Sequence, residues 1–99
     1  MIISSQRYRN PEIVEAKRQS GDYEVSLVSI EIDGVEYDVV VDGHHSLSAA
    51  ITDGVEPDWT YVGGELQAEA DNMSAEDFLA AHYNDSDYYD VATGNSVWQ

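Results

Sequence analysis

Cysteine is absent from this 99-residue chain, which excludes disulfides, thiolate nucleophiles and zinc–thiolate sites. No apolar run approaches the roughly 18 residues needed to span a bilayer. The opening residues, Met1-Ile2-Ile3-Ser4-Ser5, have neither the basic n-region nor the apolar h-region of a secretory signal. A cytoplasmic protein is the expectation. No internal repeat or low-complexity linker divides the chain, and its length suits one domain over residues 1–99 with one core.

The scarcest property is positive charge. Arg7, Arg9, Lys17 and Arg18 are the only basic residues, against 20 Asp and Glu, for a formal net charge of −16. Two of the acids, Glu12 and Glu15, precede Arg18. The remaining eighteen stand in a stretch without a single Lys or Arg. Such a charge repels itself and opposes compaction. It disfavours nucleic acid, whose binding relies on cations displacing counterions, and anionic membrane surfaces likewise. The favoured partner is a basic protein surface. A very soluble or salt-adapted surface is the plainer explanation of the same numbers.

Hydrophobic residues make up 42% of the chain and ten residues are aromatic, enough for a folded core. The first segment, 10–18, reads as a helix, with Asn10 as cap, Pro11 at the first helical position and acids preceding bases. Two β-rich runs follow, 24–32 and 35–41, joined by Asp33-Gly34, a strong two-residue hairpin signal. That turn sets a register in which Ile32 faces Val35, Ile30 faces Tyr37 and Val28 faces Val39 on an apolar side. The other side opposes Glu31 to Glu36 and Ser29 to Asp38. Like charges directly across strands destabilise a hairpin, so this acidic stripe is a candidate functional surface, or an edge that resists aggregation.

Beyond the hairpin, 47–52 reads as a short helix, 59–62 as a strand, 65–72 as acidic loop and 74–82 as a helix capped by Ser74. The acidic and aromatic tail, 84–90, is open between ordered and loose. The expected fold is a small α+β domain, with a mostly antiparallel sheet built on a central β-hairpin and about three short helices.

Strand, glycine turn and helix start meet at Val39-Val40-Val41-Asp42-Gly43-His44-His45-Ser46-Leu47-Ser48-Ala49-Ala50. Such junctions gather unpaired backbone N–H groups and the positive end of a helix dipole. Over residues 39–50 the chain resembles the ParB/sulfiredoxin superfamily. The resemblance implies a phosphate-binding turn, and in some members nucleotide hydrolysis or phosphoryl transfer. Asp42, Gly43, His44 and His45 match the family pattern, whereas its phosphate-gripping arginine is Ser46 here. No later lysine or arginine replaces that guanidinium. The expectation is a vestigial phosphate site at Asp42, Gly43, His44, His45 and Ser46. His44 and His45 stay open between an acid–base or metal role with Asp42 and simple packing at the turn. His82 is read as a cation at a helix end or as a packed side chain.

Size and composition also resemble the small acidic anti-CRISPR and anti-restriction DNA mimics of mobile elements. That likeness implies a non-enzymatic inhibitor whose carboxylates stand in for phosphates on a basic nucleic-acid-binding surface. The target would be a CRISPR effector or another nuclease complex. The candidate partner-binding residues are Glu31, Glu36 and Asp38 on the hairpin, Glu65, Glu69 and Asp71 after it, and Asp87, Tyr88 and Asp90 in the tail. Tyr37, Tyr61, Tyr89 and Trp98 are further candidate aromatic anchors. No cofactor or metal is expected. The alternative is a ParB/sulfiredoxin-like nucleotide phosphohydrolase or phosphotransferase.

Overall fold

The computed structural model describes residues 1–98. Its elements run β1 (Ile2–Ser4), α1 (Pro11–Ser20), β2 (Glu24–Ile32), β3 (Val35–Asp42), α2 (His44–Asp53), β4 (Asp58–Tyr61), α3 (Gly64–Asn72), α4 (Ala75–Ala81) and β5 (Tyr89–Asp90). The fold is α+β.

The β2–β3 hairpin is the centre of a five-stranded sheet ordered β4-β2-β3-β1-β5. Asp33 and Gly34 both take positive φ, 52° and 81°, the geometry of a tight turn whose twist matches that of the strands. The pairs Ile32–Val35, Glu31–Glu36, Ile30–Tyr37, Ser29–Asp38, Val28–Val39 and Leu27–Val40 follow from that turn, with a bulge between Ser26 and Leu27. The sheet is mixed and not purely antiparallel: β1 runs parallel to β3 and β4 parallel to β2, whereas the β2–β3 and β1–β5 pairings are antiparallel. Both parallel pairings are long-range and leave no turn signature. β3 returns the chain to the end of the sheet where β2 begins, and α2 links it from there to β4, which starts beside the start of β2.

Alternation along the hairpin gives the sheet two faces. On one, Val28, Ile30 and Val39 pack with Ile3, Ala70, Phe78, Leu79 and Tyr88 beneath α3 and α4. On the other, Val25, Leu27, Val40 and Leu47 form a smaller cluster under α2. Four helices stand among the described residues, since 64–72 is helical and not loop. Leu66 and Ala70 stand four apart on α3 and meet the core with Met73, a stripe too sparse to stand out among acids.

Helix ends follow local chemistry. The Asn10 side chain accepts from the Glu12 N–H, and Gly21 closes α1 in the left-handed conformation. Ser74 accepts from the Asp77 N–H to cap α4. The tail is ordered against the N-terminal segment: the Asp85 carboxylate accepts from the Arg7 and Tyr8 N–H groups at 2.7 and 3.1 Å. The Ser5 carbonyl accepts from the Asp85 and Ser86 N–H groups. No helix among the described residues is long and apolar enough to cross a membrane.

Candidate functional site

Two places gather the residues singled out by sequence. The first is the acidic side of the hairpin. Ser29, Glu31, Glu36 and Asp38 alternate with the residues buried under α3 and α4, so they project from the opposite face. The Ser29 hydroxyl lies 2.9 Å from Glu36 Oε1 and 3.0 Å from Asp38 Oδ1. A hydroxyl donates one proton, so it serves one of these carboxylates at a time. The Tyr61 hydroxyl donates to Asp38 Oδ2 at 2.9 Å, and this contact pushes the phenol pKa up. Glu31 stands opposite Glu36 with no cation between them.

The reason is visible in the fates of the four basic side chains. Lys17 pairs with Asp22 at 2.8 Å, and Arg18 bridges Asp53 at 2.6 Å and Glu15 at 2.9 Å. Arg9 donates to Ser48, to the Gln6 and Tyr8 carbonyls and to Tyr89. Arg7 donates to the Gly94 carbonyl and lies 4.1 Å from the Tyr89 ring centroid. All four cations are engaged around α1, α2 and the tail. The hairpin acids are left without a basic partner, with the Ser29 and Tyr61 hydroxyls as their side-chain donors.

Beside the hairpin, Glu31, Glu36 and Asp71 share a groove at the β2 edge with Gln67 and Met73. Gln67 caps that edge by donating to the Ser29 carbonyl at 3.2 Å and to Asp71 at 3.0 Å. Glu65 and Glu69 are exposed on α3, and Glu69 lies 3.6 Å from His82 Nε2. The His82 ring packs 4.4 Å from that of Phe78, the packed side chain of the two sequence readings.

The tail residues do not join this surface as a unit. Asp87 is exposed. Asp90 sits on β5, where its side chain accepts from the Ala92 N–H. Tyr88 is a core residue only 8% exposed, its hydroxyl donating to the Leu79 carbonyl at 2.7 Å, and burial raises its pKa. It has no face to offer a partner. Tyr89 is equally buried, and Tyr37 packs edge-on to Trp98. Tyr61, 59% exposed, is the aromatic that stands beside the acids.

The second place is the glycine turn. Gly43 has φ 88°, and a Cβ there would lie 2.3 Å from the Glu24 carbonyl oxygen and 2.9 Å from Val25 Cα. Only glycine fits, because the turn presses against the start of β2. The helix begins at His44, three residues earlier than the sequence indicated, with no side-chain cap. A small cleft of about 220 Å³ opens at this helix start, lined by Gln6, Lys17, Asp42, Gly43, His44, His45 and Ser46.

The two histidines take different roles. His44 is buried, and burial together with the nearby Arg9 charge pushes its pKa down to about 4. Its Nε2 has no hydrogen-bond partner among the described residues. His45 Nε2 accepts the Asn10 N–H at 3.1 Å, so its proton resides on Nδ1. Its pKa is lowered, chiefly by burial and then by Arg9 and Lys17. Asp42 turns back on itself to accept the Gly43 N–H at 2.8 Å.

Ser46 donates to Asp22 Oδ1 at 3.2 Å, and the same carboxylate holds Lys17. That ion pair, with the Glu24 N–H as a further donor, depresses the Asp22 pKa. A cation therefore does reach the turn, from α1 upstream of the motif. Sequence reasoning looked downstream and missed it. Nothing in the spacing of Lys17 signals that α1 packs on α2. No group of three or more His, Asp and Glu among the described residues converges in a metal-ligating arrangement.

No protein-family model, curated protein or solved structure matches the chain.

Proposed function

We propose that this protein is a non-enzymatic inhibitor that occupies a basic nucleic-acid-binding surface of a nuclease complex, with CRISPR effectors as the leading target class. One observation carries the reading. The hairpin presents Glu31, Glu36 and Asp38 in a row that meets the Ser29 and Tyr61 hydroxyls but no cation, while every basic side chain is engaged elsewhere. Carboxylates held on a sheet accept charge-assisted hydrogen bonds from arginine and lysine as phosphates do. The field of a −16 chain steers it toward positive surfaces. Cross-strand carboxylates also cost stability, and a binding role is a reason to keep them.

The test is capture of nuclease complexes from lysate on the immobilised protein at rising ionic strength. Retention at low salt that DNA competes away is the expected result. Reversal of Glu31, Glu36 and Asp38 to lysine is expected to abolish capture with the fold intact. Unchanged capture by that triple variant refutes the hairpin as the interface.

A second reading keeps the ParB/sulfiredoxin-like scaffold and its nucleotide chemistry. Lys17 favours it, since it lines the Gly43 turn where the family arginine is missing. Against it, Asp42 and Asp22 flank the same turn, and Lys17 is already neutralised by Asp22. Calorimetry with ATP and magnesium decides it: no heat at millimolar nucleotide removes this reading.

A further inference from the structure

The sheet face that carries the acidic row is only partly covered. α2 reaches it through Leu47, leaving an open apolar groove of about 550 Å³ lined by Met1, Ile2, Leu47, Ile51, Trp59 and Val91. Met1 is 58% and Ile51 62% exposed there. A groove of that size and composition is in the range of sites that take an inserted apolar group.

Its surroundings are acidic. Ile2 is the cross-strand partner of Asp38. Paired residues of parallel strands project to the same face about 4.8 Å apart, so the Ile2 wall of the groove adjoins Asp38, the near end of the row Asp38, Glu36, Glu31. On the opposite side the Trp59 indole N–H donates to Glu56 at 2.8 Å, and Asp90 lines the groove itself. None of the four basic residues lines it.

We infer that this groove and the adjoining hairpin carboxylates form one docking surface for a basic amphipathic segment of the partner. Its apolar side chains enter between α2 and Trp59, and its lysines and arginines lie over Asp38, Glu36 and Glu31. The inference rests on the charge reading above and deepens it, since a purely phosphate-like surface has no use for an apolar groove. Helix-in-groove recognition supplies the geometry, with Trp59 as a central aromatic anchor. Charge selects the occupant. A second copy of this chain would bring another −16 against the same acids, whereas a cationic segment neutralises them.

The experiment uses the full chain carrying Trp98→Phe, so that Trp59 is the only tryptophan and its emission reports on the groove. Two tryptophan-free synthetic peptides of equal charge are titrated: a helix-forming Lys/Leu peptide with leucines along one face, and oligolysine. Expected is a blue shift of Trp59 and an affinity at least about tenfold tighter for the amphipathic peptide, a difference of roughly 1.4 kcal/mol. Ile51→Gln, a neutral change at an exposed helix position, is expected to remove most of that advantage while leaving oligolysine binding and the far-UV melting curve unchanged. Equal affinities for the two peptides, or full affinity in Ile51→Gln, overturn the groove and leave the charge reading standing. A wild-type dimer in sedimentation that Ile51→Gln dissociates assigns the groove to a second copy and also overturns the inference. Failure of both peptides to bind at low salt removes the charge reading with it.

Discussion

Replacing Glu31 by lysine is expected to make the protein more stable while making it a worse ligand for a basic surface. Glu31 lies directly opposite Glu36 across β2 and β3 and makes no hydrogen bond of its own among the described residues, so the substitution removes no existing contact. It converts a like-charge cross-strand pair into an opposite-charge one. Each such pair changes stability by roughly 0.2–1 kcal/mol, and solvent exposure holds ion pairs to the lower part of that range. A net gain of about 0.2–0.5 kcal/mol is therefore expected, which for a domain of this size corresponds to about 1–4 °C in melting temperature.

Thermal melts of the two proteins at low salt measure it, and a repeat near 1 M salt, where the Debye length is about 3 Å, is expected to shrink the difference. The same variant in the lysate assay is expected to be captured less well at every ionic strength. A Glu31→Lys protein that melts at or below the wild-type temperature at low salt refutes the claim that this row costs stability. The functional case for the row would lose its main physical support with it.

Gly43→Ala is expected to cost about 3 kcal/mol or more, combining roughly 1–2 kcal/mol for a left-handed alanine with the clash against the Glu24 carbonyl. Gly34→Ala meets nothing within 4 Å and is expected to show the conformational cost alone. Urea midpoints, lower by about 1–3 M for the first variant, check the contrast, and equal shifts would show that the β2 backbone yields. His44, neutral in the fold with a pKa of about 4 against 6.5 unfolded, binds its proton more readily when unfolded. Its contribution is therefore complete above pH 6.5 and falls by up to about 3 kcal/mol as pH drops toward 4. Denaturation of wild type and His44→Phe across pH 4–7 is expected to show that slope in the wild type and a flatter one in the variant.

The hairpin was legible because all its determinants are local. Asp33-Gly34 sets the turn, the turn sets the register, and the period of two assigns Glu31, Glu36 and Asp38 to one face. The caps of α1 and α4 at Asn10 and Ser74 were readable for the same reason. The short strands β1 and β5 were not, since three and two residues carry no periodicity and their pairing partners lie far along the chain. α3 was hidden by composition: Leu66 and Ala70 bury themselves among acids that mark a loop in isolation. At the glycine turn, the Asp42 to Ser46 motif was plain in sequence, but the arrival of Lys17 depends on how α1 packs against α2.

Charge and its distribution belong to the sequence alone. With no Lys or Arg after Arg18, no folding of this chain leaves the later acids with enough cations, because counter-ions cannot be supplied by residues that are absent. Tertiary structure decided where the four bases went and what stands beside the acids. Packing of α1 on α2 and of the tail on the N-terminal segment engages Arg7, Arg9, Lys17 and Arg18. The parallel pairing of Ile2 with Asp38 sets an open apolar groove against the acidic row. Contacts of that kind depend on burial across the whole chain, and local spacing does not encode them.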